Sequence, residues 1–344
     1  TVTPRTVALD VHAQGTVRPR TETTLVAEVA AKVVDLSPAF ARGGFFEPGE
    51  VLVRLDPRSF ELAVTGARAE VARAQVALER ELAEAELAAA EWRDLGKAGA
   101  PPPLVAHEPQ TAQARAAVAA AQASLERAQL DLDRATVRAP YAGRVRDKQA
   151  DLGQFVTPGQ PLGRIYAVDY AEVELPVPDA QLAFLDLPLA FRGEGATGRG
   201  PEVTLSAVFA GAAHTWPGRI VRTGGEIDAK SRMVGLVARV DDPYGRHEDP
   251  DRPPLAVGLF VEATIAGREV PDVVVLPRVA MRGDDRVLVL DGGDRLRYRP
   301  VEVLRRQGEE VLVAKGLSAG DRVCVSPLEA PVDGMRVRAT ETAP

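Results

Sequence analysis

One cysteine, three methionines and four histidines among 344 residues leave little material for redox or soft-metal chemistry. The single thiol, Cys324, excludes an internal disulfide and a paired CxxC site. It lies in DRVCVSP, whose alternation predicts a strand carrying a buried structural thiol. His12, His107, His214 and His247 are scattered, and none has a second histidine three or four positions on, so no metal site is expected. His247 sits in an acidic, proline-rich loop that reads as solvated. Aromatic residues are sparse at 5%, and no apolar run approaches the roughly 18 residues a membrane-spanning helix needs. Net charge is −7 with both signs interspersed, which is no nucleic-acid footprint. Gly193, Gly195 and Gly198 spell GxGxxG, but Pro201 and a β-type run follow where a helix would have to cradle a pyrophosphate; a surface loop is expected. No catalytic residue, cofactor or cofactor-binding residue emerges. The chain starts at Thr1 rather than Met, and the expectation is that a leading segment, serving as signal or anchor, has been removed.

What is present is a repeat. Residues 43–55 read GGFFEPGEVLVRL and residues 153–165 read GQFVTPGQPLGRI. Identical pairs are Gly43/Gly153, Phe45/Phe155, Pro48/Pro158, Gly49/Gly159, Leu52/Leu162 and Arg54/Arg164. Each Pro-Gly pair suits the centre of a type II turn, because Pro presets the first φ and Gly accepts a positive second φ. The residues after each turn alternate as strands do. Each copy therefore reads as half of one small β domain, with everything between the halves an insertion.

The insertion has helical spacing. Phe60, Val64, Ala67, Val71, Ala74, Leu78, Glu81, Ala85, Ala88, Trp92 and Leu95 recur at intervals of four and three, with Glu81 the only polar member. Ala114, Val118, Ala121, Leu125, Ala128 and Leu132 repeat the rhythm on a returning arm. Such spacing gives each helix a narrow apolar seam that an antiparallel partner buries. Between the arms GKAGAPPPLVAHEP holds two Gly and four Pro, which no helix survives. A two-helix coiled-coil hairpin is predicted.

Beyond the second half-domain, AEVELPVP alternates Val173, Leu175 and Val177, a short helical turn follows, and strand-like runs continue to about Gly267 with turn signals between them. These predict a small antiparallel barrel. From Val273 a last set of strand-like runs forms a terminal β domain, which residues 1–22 are expected to complete. The predicted organisation is 1–22 with 270–344 as the terminal domain, 23–56 with 135–167 as the split domain, 57–134 as the hairpin and 168–269 as the barrel.

A split β sandwich of this kind resembles the lipoyl and biotinyl carrier fold, in which a modified lysine occupies the turn joining the halves. Here that junction is Leu55, Asp56, Pro57, without lysine, and it runs on into the helices. A carrier role is therefore not expected. A lipoyl-like (barrel-sandwich hybrid) domain interrupted by a helical hairpin, then a β-barrel and a membrane-proximal β domain, resembles the periplasmic adaptors, or HlyD-like membrane fusion proteins, of tripartite efflux pumps. The likeness to the branch serving resistance-nodulation-division transporters rests on four stretches. They are residues 27–34 with Pro48, Gly49, Leu55 and Asp56; ATVRAPYAGRV at 135–145; WPGRIVRTGGEIDAKSRMVGLVARVDDP at 216–243; and LAVGLFVEATIAG at 255–267.

The resemblance implies a mainly β, non-enzymatic protein in the periplasm of a Gram-negative bacterium, held at the inner membrane by a missing N-terminal anchor. It also implies assembly as a hexamer or trimer of dimers, bridging an inner-membrane transporter to an outer-membrane channel of the TolC type; an ABC-type exporter is the alternative partner. The family's hairpin tip carries an Arg, a Leu and a Ser that contact the channel. Leu95 stands at the Leu position, while Glu91 and Pro102 replace the Arg and the Ser, with Arg93 one turn face away. The expected partner-binding residues are Arg93, Leu95, Lys97 and Leu104, and the expected structural turns are Pro48-Gly49 and Pro158-Gly159.

Overall fold

The computed structural model describes residues 1–96, 98–187, 200–245, 253–326, 328, 331–338 and 340. The Gly193/Gly195/Gly198 motif, His247 and Lys97 lie outside the described residues. The chain divides into two compact units, one drawn from Pro19–Ala171 and Asp241–Pro254, the other from Thr1–Arg18, Glu172–Val240 and Leu255–Pro344.

In the first unit the repeat builds two interlocked four-stranded sheets. One runs Glu22–Val26, Pro161–Ala167, Gly143–Lys148, Phe45–Phe46; the other runs Thr136–Arg138, Val51–Leu55, Ala31–Leu36, Phe155–Val156. Each sheet takes strands from both halves in equivalent order, so neither half holds a sheet alone. The shared core includes Leu52, Leu55, Leu162 and Ile165, all with no exposure. Gly49 has φ +79° and Gly159 φ +83°, as the paired turns require. The turns are bonded alike: the Gly49 N–H donates to the Ala139 carbonyl and the Gly159 N–H to the Ala27 carbonyl, both at 2.8 Å. The halves differ at their shared aromatic. Phe45 meets Tyr244 edge-on at 5.6 Å and lies under the Arg144 guanidinium. Burial pushes the Tyr244 phenol up.

From the junction of the halves rise helix α1 (Arg58–Asp94) and helix α2 (Glu108–Arg134). At 1.5 Å per residue, the 37 residues of α1 extend about 55 Å. The Leu55 N–H donates to the Ala135 carbonyl at 2.8 Å, which ties the outgoing and returning chains together at the base. Along both helices the positions at four-three spacing are buried or half-buried, while most of the others are exposed. Only Val64, Thr111 and Ala114 are fully buried. Leu78 and Leu125 both lie half-buried on this face, as the spacing predicts.

The second unit holds a closed six-stranded barrel ordered Tyr170–Pro178, Met233–Asp241, Ala212–Ile227, Glu202–Phe209, Phe260–Ile265, Val11–Pro19. Alternation fills its interior: Val173, Leu175 and Val177 from one strand, Leu236, Ala238 and Val240 from the next, with Trp216 fully buried. Residues 1–22 do not all join the terminal domain as expected. Val11–Pro19 closes the barrel against Phe260–Ile265, and only Arg5–Ala8 pairs with Glu269–Pro277 in a terminal sheet that continues through Glu310–Lys315 and Glu302–Gln307. The physical reason is an open edge. The strand Phe260–Ile265 has Glu202–Phe209 on one side alone, and the alternating Val11, Ala13, Val17 face supplies the missing partner. A three-stranded sheet, Leu296–Pro300, Arg286–Leu290, Arg322–Val323, completes the terminal region. Its last strand stops at Val323, so Cys324 is half-buried rather than enclosed, with Sγ 3.9 Å from the Ser326 carbonyl.

Candidate functional site

The junction of the two half-domains is a helix mount. Asp56 follows the strand Val51–Leu55 and accepts hydrogen bonds from the Arg58 backbone N–H at 3.2 Å and from the Arg58 guanidinium, Nη2 to Oδ2, at 2.6 Å. These bonds, the side-chain one first, hold its carboxyl down to about 2. A carboxylate before the first turn suits the positive end of the α1 dipole. Arg54, Pro57 and Glu61 share a cleft with Leu132, Asp133 and Arg138, so the start of α1 lies beside the end of α2.

The other end is uneven. Glu81 of α1 approaches His107, the residue before α2, at 3.5 Å, so the last 13 residues of α1 continue past the start of α2. The connecting segment folds back along that extension. The Trp92 Nε1–H donates to the Gly99 carbonyl at 3.2 Å, and the Ala106 N–H to the Pro102 carbonyl at 2.9 Å. The α1 C-terminus closes with Gly96 at φ +67°.

Of the predicted contact residues, Arg93 is exposed and its Nε–H donates to the Ala89 carbonyl at 3.2 Å, laying the guanidinium along its own helix. Leu95 is 70% exposed and Leu104 69% exposed. Val105, which sequence spacing does not single out, is also exposed. Leu95 and Leu104 thus both stand in solvent, one at the helix end and one in its connecting segment.

The only cluster of potential metal ligands among the described residues is also here: Glu81, Glu84 and His107 bring one ligand atom each within 4.8 Å of one another. Sequence spacing gives no hint of it, because His107 meets the two glutamates from across the connecting segment.

Comparison with known proteins adds a likeness. Residues 272–330 match the model for the C-terminal permuted SH3 domain of RND membrane fusion proteins. Multidrug export protein AcrE of Escherichia coli is 25% identical over 340 residues, covering 94% of this chain and 84% of AcrE. Along most of its length the chain is similar to periplasmic subunits of efflux pumps. The efflux pump periplasmic linker BepD of Brucella suis is 27% identical over 318 residues, covering 87% of this chain and 74% of BepD. A crystallised MacA–MexA chimera carrying the Pseudomonas aeruginosa MexA α-hairpin domain shares the fold, with TM-score 0.66 and 18% identity over 95% of this chain and 100% of the chimera. The long stretch at 216–243 has a structural role. It supplies the buried Trp216 and the hairpin of Ala212–Ile227 with Met233–Asp241. The turn between these strands is held by Asp228, whose Oδ1 accepts from the backbone N–H and hydroxyl of Ser231 at 2.7 and 2.8 Å.

No helix among the described residues is long and apolar enough to cross a membrane.

Proposed function

We propose that this chain is a membrane fusion protein, a non-catalytic periplasmic adaptor that links an inner-membrane efflux transporter to an outer-membrane channel. The observation that carries the reading is the mounting of α1 and α2 at the junction of the split β domain's halves, with Leu95 and Leu104 exposed at the far end. BepD's description as an efflux pump periplasmic linker, over most of both chains, supports the location and the role. The match at 272–330 favours a transporter of the resistance-nodulation-division type over an ABC exporter. In this reading the barrel and terminal domain dock on the transporter, and α1 and α2 wind as a coiled coil. Several copies, six or a trimer of dimers, close the conduit, because one chain encloses nothing.

The channel of TolC type meets the end of the helical pair, with Leu95 as apolar anchor, Leu104 beside it and Arg93 and Lys97 as rim charges. Removing a central anchor costs about 2 kcal/mol or more, some 30-fold in affinity, and a rim charge far less. Leu95→Asp should therefore abolish co-purification of the cognate channel while leaving secretion and self-association unchanged. Arg93→Ala should weaken recovery partially, and more at low salt than at high. Undiminished channel recovery with Leu95→Asp would refute docking at this end.

A further inference from the structure

The apolar seam between α1 and α2 is interrupted by polar residues near the start of α2. Glu81 is the polar member of the α1 series. Carried back by the same four-three spacing, the α2 series Ala114, Val118, Ala121 reaches Thr111 and then His107. The structure sets these interruptions against each other: Glu81 Oε2 stands 3.5 Å from His107 Nδ1, and Glu84, one turn along α1, joins them. Although close, the His107 nitrogen lacks hydrogen-bond geometry to Glu81. His107 Nδ1, Gln110 Oε1 and Thr111 Oγ1 are all buried with no hydrogen-bond partner among the described residues. Thr111 is 8% exposed, and its backbone N–H donates to the His107 carbonyl at 2.9 Å, which places it one turn further on the same face. His107 itself has φ +54°, in the left-handed region that a non-glycine side chain adopts only under constraint. Buried polar atoms are ordinarily bonded, and unpartnered ones at one spot point to a group that binds there.

We propose that Glu81, Glu84 and His107 form a binding site for a divalent transition-metal cation, with Zn²⁺ the best match, that clamps the α2 N-terminus to the middle of α1. The donor set decides the class. An imidazole nitrogen suits zinc and its transition-metal neighbours, whereas calcium and magnesium take oxygen ligands. Two carboxylates balance the double charge, and three protein ligands leave a fourth tetrahedral position for water. Arg80 holds Glu84 through Oε1 at 2.9 Å, which leaves the second carboxylate oxygen for the metal. A bound cation would fix the offset between α1 and α2, and with it the height of the exposed Leu95 and Leu104. The proposal stands independently of the adaptor role.

The test is calorimetric titration of the chelator-stripped full chain with Zn²⁺ near pH 7.5, alongside mapping of histidine acylation by diethylpyrocarbonate. One equivalent should bind, and Zn²⁺ should shield His107 from acylation while leaving His12 and His214 reactive. His107→Asn and Glu81→Gln should each weaken binding at least about 10-fold, since even partners one shell beyond a metal contribute 10- to 100-fold. His214→Asn should leave it unchanged. The shielding experiment needs no substitution, so it decides the matter even where a variant folds poorly. Absence of binding up to millimolar Zn²⁺, or binding with His107 still reactive, would overturn the site.

Discussion

The split β domain and the helical pair it carries are built on opposite terms. In the β domain, Leu52, Leu55, Leu162 and Ile165 have no exposure, and every sheet draws strands from both halves of the repeat. Along α1 and α2 alanine is the commonest seam residue and most seam positions are half-buried, while large apolar side chains such as Leu62, Val76 and Leu87 stand in solvent. The β domain thus satisfies itself within one chain. The helical pair buries too little on its own and presents apolar surface outward, which is the condition under which neighbouring copies or a partner add most.

The sharpest way to break this comparison is to cut equal volumes from the two regions. Leu162→Ala removes a side chain with no exposure and should cost about 2–5 kcal/mol. Leu125→Ala removes a half-buried one and should cost less than about 2 kcal/mol, because less apolar area returns to water. Urea unfolding monitored by circular dichroism measures both, and equal losses would show that the seam is as fully packed as the sandwich.

A charge sharpens the same contrast. Leu125→Asp places a carboxylate on the seam without a partner, at about 1–3 kcal/mol for an uncompensated buried polar group. The expected result is loss of helical signal at 222 nm with the β domain still folded, read from intact backbone amide protection of Val51–Leu55 and Pro161–Ala167. Collapse of both together would mean that the sandwich depends on the helices it carries.

The legibility of these two regions in the sequence differs for a physical reason. Periodicity and turn chemistry are local, so the four-three seam, the Pro48-Gly49 and Pro158-Gly159 turns and the strand Tyr170–Pro178 could be read directly. Strand partnership is not local. Nothing near residue 11 says that Val11–Pro19 closes a barrel more than 240 residues away, and the alternation of that segment fits either the barrel or the terminal sheet. Cys324 failed for a related reason: its apolar flanks alternate like those of a central strand, but the strand ends one residue before it. The Glu81, Glu84, His107 cluster was hidden because its members approach across the connecting segment, and only Glu81's place in an apolar series marked the level. Leu95 was singled out through family likeness, and it stands exposed at the end of α1. The exposed Val105 beside Leu104 was not, because no periodicity extends into a proline-rich turn.

The equivalence of the two halves can itself be tested. A Cβ built on Gly49 or Gly159 meets nothing within 4 Å, so substitution there is opposed by backbone strain alone. Gly49→Val and Gly159→Val should each cost about 1–2 kcal/mol through the left-handed φ. They should match within about 0.5 kcal/mol in thermal unfolding, because the backbone bonds of the two turns are alike. A large difference would show that the repeat's likeness stops at the backbone.

The smallest expected effect lies where the two regions meet. Asp56 sits at the end of a β strand and at the start of α1, and its pairing with Arg58 holds its carboxyl at about 2, against an ordinary 3.8. A depressed carboxyl contributes stability that is fully present above 3.8 and is lost as the pH falls through about 2, where the folded state must take up the proton as well. Asp56→Asn keeps the shape but forms no ion pair with Arg58. At pH 7 the variant should unfold at slightly lower urea than the parent, followed at 222 nm so that the helices report. Between pH 3.8 and 2 the two curves should converge, because protonation removes from the parent what the substitution removed from the variant. The gap at neutral pH should be small, since Arg58 is largely exposed and solvent screens the pair. A gap that persists unchanged below pH 2 would assign the effect to the shape of the side chain at the helix start and not to its charge.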